Sequence, residues 1–412
     1  MSEPPQQISL LNFSGSDRLG LMAALTATLA DSNAQILDLG QAIVHDQLVL
    51  SLLAKFADLQ QRDDALAALA KLAIQREVVF EHRLVDAAAY DAWVHSQGQP
   101  RYILTLLADG IKASQVSALS QVVAQHGLNI HDIKRLSNRV SLRDVGSRQR
   151  VSVEMTLRGS IANEQALKAG LLAAAREHHF DCSVQLDSVY RRNRRLVAFD
   201  MDSTLIKAEV IDELARRHGV FEAVAGVTAR AMAGEIDFAE SFRARVALLE
   251  GMPEAVLDQV AQDVELADGA KVLIDVLRHF GYKTAVLSGG FRYVGEVLKQ
   301  QLRIDHLYAN ELEFENGLAT GKVVGDIVDA STKADLLSKL CQREGISTQQ
   351  AIAIGDGAND LPMLSMAGLG IAFHAKPVVQ ATANHAISRF GLDSLLYLLG
   401  FSQRELEDIA GG

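Results

Sequence analysis

Four short clusters in the second half of the chain carry side chains suited to chemistry on an anion. Asp200-Met201-Asp202-Ser203-Thr204 follows the apolar run Leu196-Val197-Ala198-Phe199. Ser288-Gly289-Gly290 follows Thr284-Ala285-Val286-Leu287, and Gly355-Asp356-Gly357-Ala358-Asn359-Asp360 follows Ala351-Ile352-Ala353-Ile354. Lys333 comes shortly after Ser331-Thr332 and leads a helical pattern from Ala334 to Leu340. Two carboxylates one residue apart suit a helix cap, a turn or a divalent-cation site. A hydroxyl beside glycine-backed N–H groups at a strand end suits an oxyanion such as phosphate. A lysine in a helix's first turn is ordinarily a solvated surface residue. Singly, each cluster has an ordinary structural explanation; the ordered set is the informative observation.

The elements that must position these residues follow from the pattern. From Leu196 onward, short apolar runs end in polar-glycine clusters and alternate with helical periodicity, which predicts a parallel sheet with crossover helices. Such sheets place their sites at the carboxyl ends of strands. Between the first two clusters, Ala208 to Arg217, Phe221 to Met232 and Phe238 to Leu249 read as helices, a helical cap over about 207–265. Asn316-Gly317, between alternating apolar residues in Leu312 to Val323, predicts a plain surface hairpin.

Asp-x-Asp-Ser-Thr, Ser-Gly-Gly, Lys and Gly-Asp-Gly-x-Asn-Asp, in that order from Leu196 to about Leu399, resemble the haloacid dehalogenase-type phosphatases. The resemblance implies a Rossmann-like core, Asp200 as nucleophile and Asp202 as acid and then base. It implies one Mg2+ held by Asp200, the Asp202 carbonyl and Asp356. Ser288, Gly289, Lys333 and Asn359 would hold phosphate, and Asp360 would support the metal's water shell. The charge logic agrees: a phosphomonoester dianion repels a carboxylate nucleophile until a cation offsets it, and magnesium suits an all-oxygen site. In the cap, Glu209-Val210-Ile211-Asp212-Glu213-Leu214 and Phe238-Ala239-Glu240-Ser241-Phe242-Arg243-Ala244-Arg245-Val246 are similar to phosphoserine phosphatases. That implies Glu209 on a substrate ammonium, Arg245 on its carboxylate, and Met232 and Phe238 as apolar walls; Arg243 falls on a different helix face. The expected reaction is hydrolysis of O-phospho-L-serine, the last step of serine biosynthesis. Another small phosphomonoester, or an amino-acid-sensing protein with a phosphatase-like scaffold, stays open as an alternative.

The first half contains an internal repeat. Ala24-Leu25 matches Ala118-Leu119, and Ile36-Leu37-Asp38-Leu39 matches Ile130-His131-Asp132-Ile133. Each copy reads strand, helix, strand, strand, helix, strand, the ferredoxin-like βαββαβ arrangement. The copies resemble ACT domains, which bind amino acids and pair through their sheets. In copy one, Asp17 and Gly20 lie in the loop that cradles an effector in that family, and the resemblance implies an amino acid such as L-serine. Copy two departs from the pattern, with Ser114 opposite Gly20 and Gly110 nearby. The expected domains are therefore 1–90, 91–190 and 191–412, assembled as a homodimer.

The bulk properties agree. At 412 residues the chain is long enough for two or three domains, and 49% hydrophobic content reads as folded. A net charge of −11 argues against nucleic acid. The one dense basic run, Arg191, Arg192, Arg194 and Arg195, reads as a solvated linker. Cys182 and Cys341 are far apart and lack metal spacing, which favours a reducing compartment. The polar start of the chain and the lack of a long apolar stretch predict a cytoplasmic protein without membrane contact. The twelve histidines show no catalytic spacing and receive no role.

Overall fold

The computed structural model describes residues 7–141, 143 and 150–410. They form two compact units, 1–99 and 100–412. In the first unit, β1 (Gln7–Ser16), α1 (Leu21–Asp31), β2 (Gln35–Val44), β3 (Gln47–Phe56), α2 (Leu59–Gln75) and β4 (Val78–Val85) build an antiparallel sheet of order β2-β3-β1-β4. Alternating residues of β1 and β3, such as Leu11, Phe13, Leu50 and Leu52, pack on Leu25, Leu29 and Leu69 of the two helices. A short helix the pattern did not announce, α3 (Ala87–Ser96), follows. Asp86 caps it, its side chain accepting from Ala89 N at 2.7 Å.

The second unit opens with the repeat. β5 (Arg101–Asp109), α4 (Ala113–Gln125), β6 (Asn129–Arg135), β7 (Arg150–Arg158), α5 (Glu164–His178) and β8 (Asp181–Leu186) form a sheet of the same order, β6-β7-β5-β8. The two βαββαβ modules differ where α1 and α4 begin. Gly20, at φ 80°, precedes α1, whereas Ser114 already lies inside α4.

The rest of this unit surrounds β9 (Leu196–Phe199). The cap helices are α6 (Val210–His218), α7 (Phe221–Met232), α8 (Phe238–Ala247) and α9 (Ala255–Asp263). After them come α10 (Ala270–His279), β10 (Lys283–Phe291), α11 (Arg292–Leu302), β11 (His306–Glu315), β12 (Leu318–Val324) and α12 (Ala330–Arg343). The chain continues through β13 (Ala351–Gly355), α13 (Leu361–Met366), β14 (Leu369–Phe373), α14 (Pro377–Thr382), β15 (His385–Ile387), α15 (Leu395–Leu398) and α16 (Gln403–Ala410). The sheet order is β12-β11-β10-β9-β13-β14-β15, and every neighbouring pair is parallel except the hairpin β11–β12. That hairpin turns at Asn316 and Gly317, both with positive φ (51° and 78°), as their residue types allow.

Two features frame the site. Strand β9 lies between β10 and β13 in matched register, Phe199 opposite Val286 and Ile354, so three strand tips end side by side. The chain leaves the sheet for the cap and returns through one antiparallel ribbon. Its links are the Ile206–Leu266 bridge, Lys207 N to Glu265 O at 2.9 Å and Ala267 N to Leu205 O at 2.8 Å.

One sequence expectation is overturned here. Arg191 and Arg194 are not a solvated linker; they are 8% and 4% exposed. Arg191 pairs with Glu154 at 2.7 Å. Arg194 donates to the Gln185 side-chain carbonyl at 3.2 Å and to Ala351 O at 3.4 Å. The segment runs between β8 and β9, where the second module packs on the parallel sheet, and buried charges there must find partners. His385 of β15 also sits in this seam. Its Nδ1 is 2.8 Å from the Ser183 hydroxyl of β8, and burial beside Lys168 and Arg194 pushes its pKa down to about 3. Among the described residues no helix is long and apolar enough to cross a membrane.

Candidate active site

Asp200 emerges from the tip of β9 with its main chain still tied into the sheet, Asp200 N donating to Ile354 O at 2.8 Å. Its Oδ1 accepts from Met201 N at 2.8 Å and lies 2.9 Å from the Lys333 ammonium. Lys333 is fully buried. It is the fourth residue of α12, a helix that starts earlier than the pattern suggested because Asp329 caps it, accepting from Thr332 N at 2.8 Å. That start places the lysine inside the sheet–helix seam, not in solvent. Its second partner is Asp360, at 2.7 Å.

Asp360 is itself held at the tip of β13, its Oδ2 accepting from Gly357 N at 3.0 Å. Ligand oxygens of Asp200, Asp356 and Asp360 all lie within 4.8 Å of one another. Burial, then the neighbouring carboxylates, pushes Asp356 up to about 7. Asp360 is pushed up as well, by burial and by Asp200, against the pull of Lys333. Burial alone would push Lys333 down, but Asp200 and Asp360 outweigh it and hold the ammonium charged. Three carboxylates thus share one cation. The donor set is all oxygen and carries surplus negative charge, so it fits a hard divalent cation.

Asp202 stands beside this cluster. Its Oδ1 is buried and has no hydrogen-bond partner. Desolvation, Glu209 and Asp200 raise its pKa well above the carboxylate range, so it favours the protonated form. On β10, the Ser288 Oγ accepts from Gly290 N at 2.8 Å. A Cβ on Gly290 would stand 2.5 Å from Asp202 Oδ2, which shows how closely the β9 and β10 tips abut. A Cβ on Gly289 would meet the Phe238 ring at 2.9 Å, so the cap's first α8 residue lies directly over the glycine. Phe238 stacks on Phe242 at 6.1 Å, and Phe242 lies against Phe291 at 5.8 Å, which packs α8 onto the sheet.

From the cap, Glu209 and Arg245 face the same space. Partial desolvation, with Asp200 and Asp212, raises Glu209; the Ser203 hydroxyl, donating at 2.8 Å, and Arg245 oppose that rise. Ser203 adopts a left-handed φ of 55° to make this bond. Arg245 is half-buried, its pKa is lowered by burial, and its Nε has no partner. Arg243 is exposed on the other face. Asn359 lies in the turn after β13, half-buried and close enough to Gly357 to exclude a Cβ there. Met232 ends α7, but its side chain lies outside the described residues. Asp17 and Gly20 belong to the other unit. There Gly20 opens α1 with nothing near its Cα face, and Asp17 N donates to Asp46 O at 2.8 Å.

Sequence reasoning missed Asn310. This residue of β11 is 2% exposed, donates to Gly289 O at 2.8 Å and accepts from Val328 N at 2.8 Å. It therefore fixes the glycine turn. Its strand also carries His306, Glu311, Glu313 and Glu315, so no local pattern singles out this amide.

The parallel sheet, its helical insert and this tip cluster define a haloacid dehalogenase-like hydrolase, and the model for that family matches residues 197–365. An ACT domain model matches residues 7–79. The phosphoserine phosphatase SerB2 of Mycobacterium tuberculosis is 38% identical over 414 residues, covering 99% of this chain and 97% of that protein. The phosphoserine phosphatase of Streptomyces coelicolor is 37% identical over 97% of this chain and 93% of that one. The crystal structure of a probable phosphoserine phosphatase from Vibrio cholerae, in its unliganded form, superposes with a TM-score of 0.58 at 33% identity, covering 74% of this chain and 88% of that one. The chain belongs to the phosphoserine phosphatase family.

Proposed function

We propose that the chain hydrolyses O-phospho-L-serine to L-serine and inorganic phosphate, as the last step of serine biosynthesis. The supporting observation is a pair of buried polar atoms without a hydrogen-bond partner, Asp202 Oδ1 and Arg245 Nε, on groups close enough to interact electrostatically. On this reading the first serves a leaving oxygen and the second a substrate carboxylate. Glu209, already oriented by Ser203, supplies the anion that a substrate ammonium requires.

Asp200 attacks phosphorus in line, and the bond from phosphorus to the serine oxygen breaks, leaving an aspartyl-phosphate. Asp202 gives its proton to the departing alkoxide. The Asp202 carboxylate then takes a proton from water, and that water attacks the aspartyl-phosphate, releasing phosphate and restoring Asp200. Lys333, Ser288, the Gly289 N–H and Asn359 hold the phosphoryl oxygens, while Met232 and Phe238 wall the cavity. Asp200, Asp356 and the Asp202 carbonyl would hold a Mg2+, with Asp360 supporting its waters, and the ion would supply charge neutralisation and a template for the phosphoryl group.

Three functional modules, 1–90, 91–190 and 191–412, divide the work. The first takes an amino-acid effector such as L-serine beside Asp17 and Gly20, and the sheets pair two chains into a cytoplasmic homodimer. The test is phosphate release from phosphoserine with and without chelator. Activity should vanish with EDTA and return with magnesium, and Asp200→Asn should lower it by at least about 10³-fold. Undiminished turnover by that variant would refute the mechanism.

A further inference from the structure

The ribbon that carries the cap is tied on one side to the second βαββαβ module. Its returning limb, Leu266 to Gly269, runs into α10 past the turn Gly391–Ser394. Leu392 N donates to Asp268 O at 2.7 Å. The fit is tight on both sides. A Cβ on Gly391 would stand 2.5 Å from Asp268 O, and one on Gly269 (φ 76°) would stand 2.3 Å from Asp393 Oδ1. Asp393 in turn pairs with Arg150, the first residue of β7, at 2.7 Å. The Arg150 guanidinium also lies 5.9 Å from the ring centres of both Phe390 and Tyr397, which flank the same turn. Across the ribbon, Lys207 on the outgoing limb pairs with Asp268 on the returning limb at 2.7 Å.

A continuous set of contacts therefore runs from β7 through Arg150, Asp393 and the Gly391–Ser394 turn to both limbs of the cap ribbon. None of these residues touches the catalytic cluster. We propose that Arg150 and Asp393 are positioning residues for the cap: through them the second βαββαβ module sets the angle at which Glu209, Phe238 and Arg245 are presented to the strand tips. A small rotation of a two-stranded ribbon displaces the far end of four helices by much more, so a contact at the ribbon is where a regulatory module has the greatest leverage. The substrate consequence rests on the reading that Glu209 and Arg245 grip phosphoserine; the ribbon consequence does not.

The test uses the full chain with Arg150→Met, which keeps the apolar stem against the rings, and Asp393→Asn, which keeps the shape. Both should raise KM for phosphoserine about 5-fold while changing p-nitrophenyl phosphate hydrolysis by less than about 2-fold, since that ester makes no ammonium or carboxylate contact and meets the cap only through its apolar wall. Hydrogen exchange at the Lys207 and Ala267 amides should quicken in both variants, and Arg150→Lys should behave as wild type. Equal loss on both esters, or unaltered exchange at those two amides, would overturn the proposal. If the wild-type chain failed to hydrolyse phosphoserine, the functional reading would fall, and the exchange rates would still decide the ribbon.

Discussion

At the scale of single residues, the proposed mechanism puts substrate choice and chemistry on different side chains. Asp200, Asp202 and Lys333 lie on the sheet side of the cleft, and Arg245 projects from the cap with an unpartnered Nε. Arg245→Ala should therefore cost phosphoserine turnover on the order of 10²-fold in kcat/KM, the scale of a charge-assisted hydrogen bond left unmade. Turnover of p-nitrophenyl phosphate should change by less than a few-fold. Parallel steady-state kinetics on the two esters check this, and equal losses would remove Arg245 from substrate recognition. The aspartates were legible in the sequence because each follows an apolar strand, and a strand tip is where a parallel sheet exposes polar groups. Lys333 was legible only through its place in the ordered set. By local pattern it is a helix-start lysine in solvent, and only the Asp329 cap and the packing of α12 bury it. Asn310, and the bond from Ser203 to Glu209, depend on contacts between distant segments that no local pattern encodes.

At the scale of elements, the seam between β8 and β15 contains a histidine that folding keeps neutral. His385 faces Ser183, Lys168 and Arg194, and its pKa falls from 6.5 to about 3 on burial. The unfolded chain then binds more protons than the folded one between those values, so this group's effect is absent above pH 6.5 and destabilises progressively as pH falls toward 3. At pH 5.5 the penalty is about 1.4 kcal/mol. His385→Asn should narrow the stability gap between pH 7.5 and pH 5.5 by about that amount in urea titrations; an unchanged gap would show that the seam does not discriminate protonation states. The three central strands β9, β10 and β13 followed from their apolar runs, yet β14, β15 and the role of the 191–195 segment did not. Four arginines in five residues look solvated in isolation. Their burial is imposed by where β8 hands over to β9, a tertiary fact.

At the scale of the whole molecule, net charge and local charge tell one story. A chain of net charge −11 concentrates three carboxylates around a single ammonium at the sheet's centre. That arrangement suits a divalent cation. Magnesium at about 100 times its dissociation constant should stabilise the chain by roughly 2.7 kcal/mol, raising Tm by about 3–4 °C. Asp356→Asn should abolish most of that rise in a thermal melt with and without metal. A full rise in the variant would place the ion elsewhere. The repeat of the first half was legible because two copies of one pattern reinforce each other. The sequence pattern ends the first module at 90; α3, Ala87–Ser96, lies across that position and bears no strong periodic signal.

The paired crossings at Ile206 and Leu266 have a consequence for how such enzymes diversify. Because the excursion begins and ends at neighbouring points, its contents can be exchanged wholesale while the order of strands beneath stays untouched. Selectivity can then be rewritten in one stretch of gene, and the phosphoryl chemistry inherited unaltered.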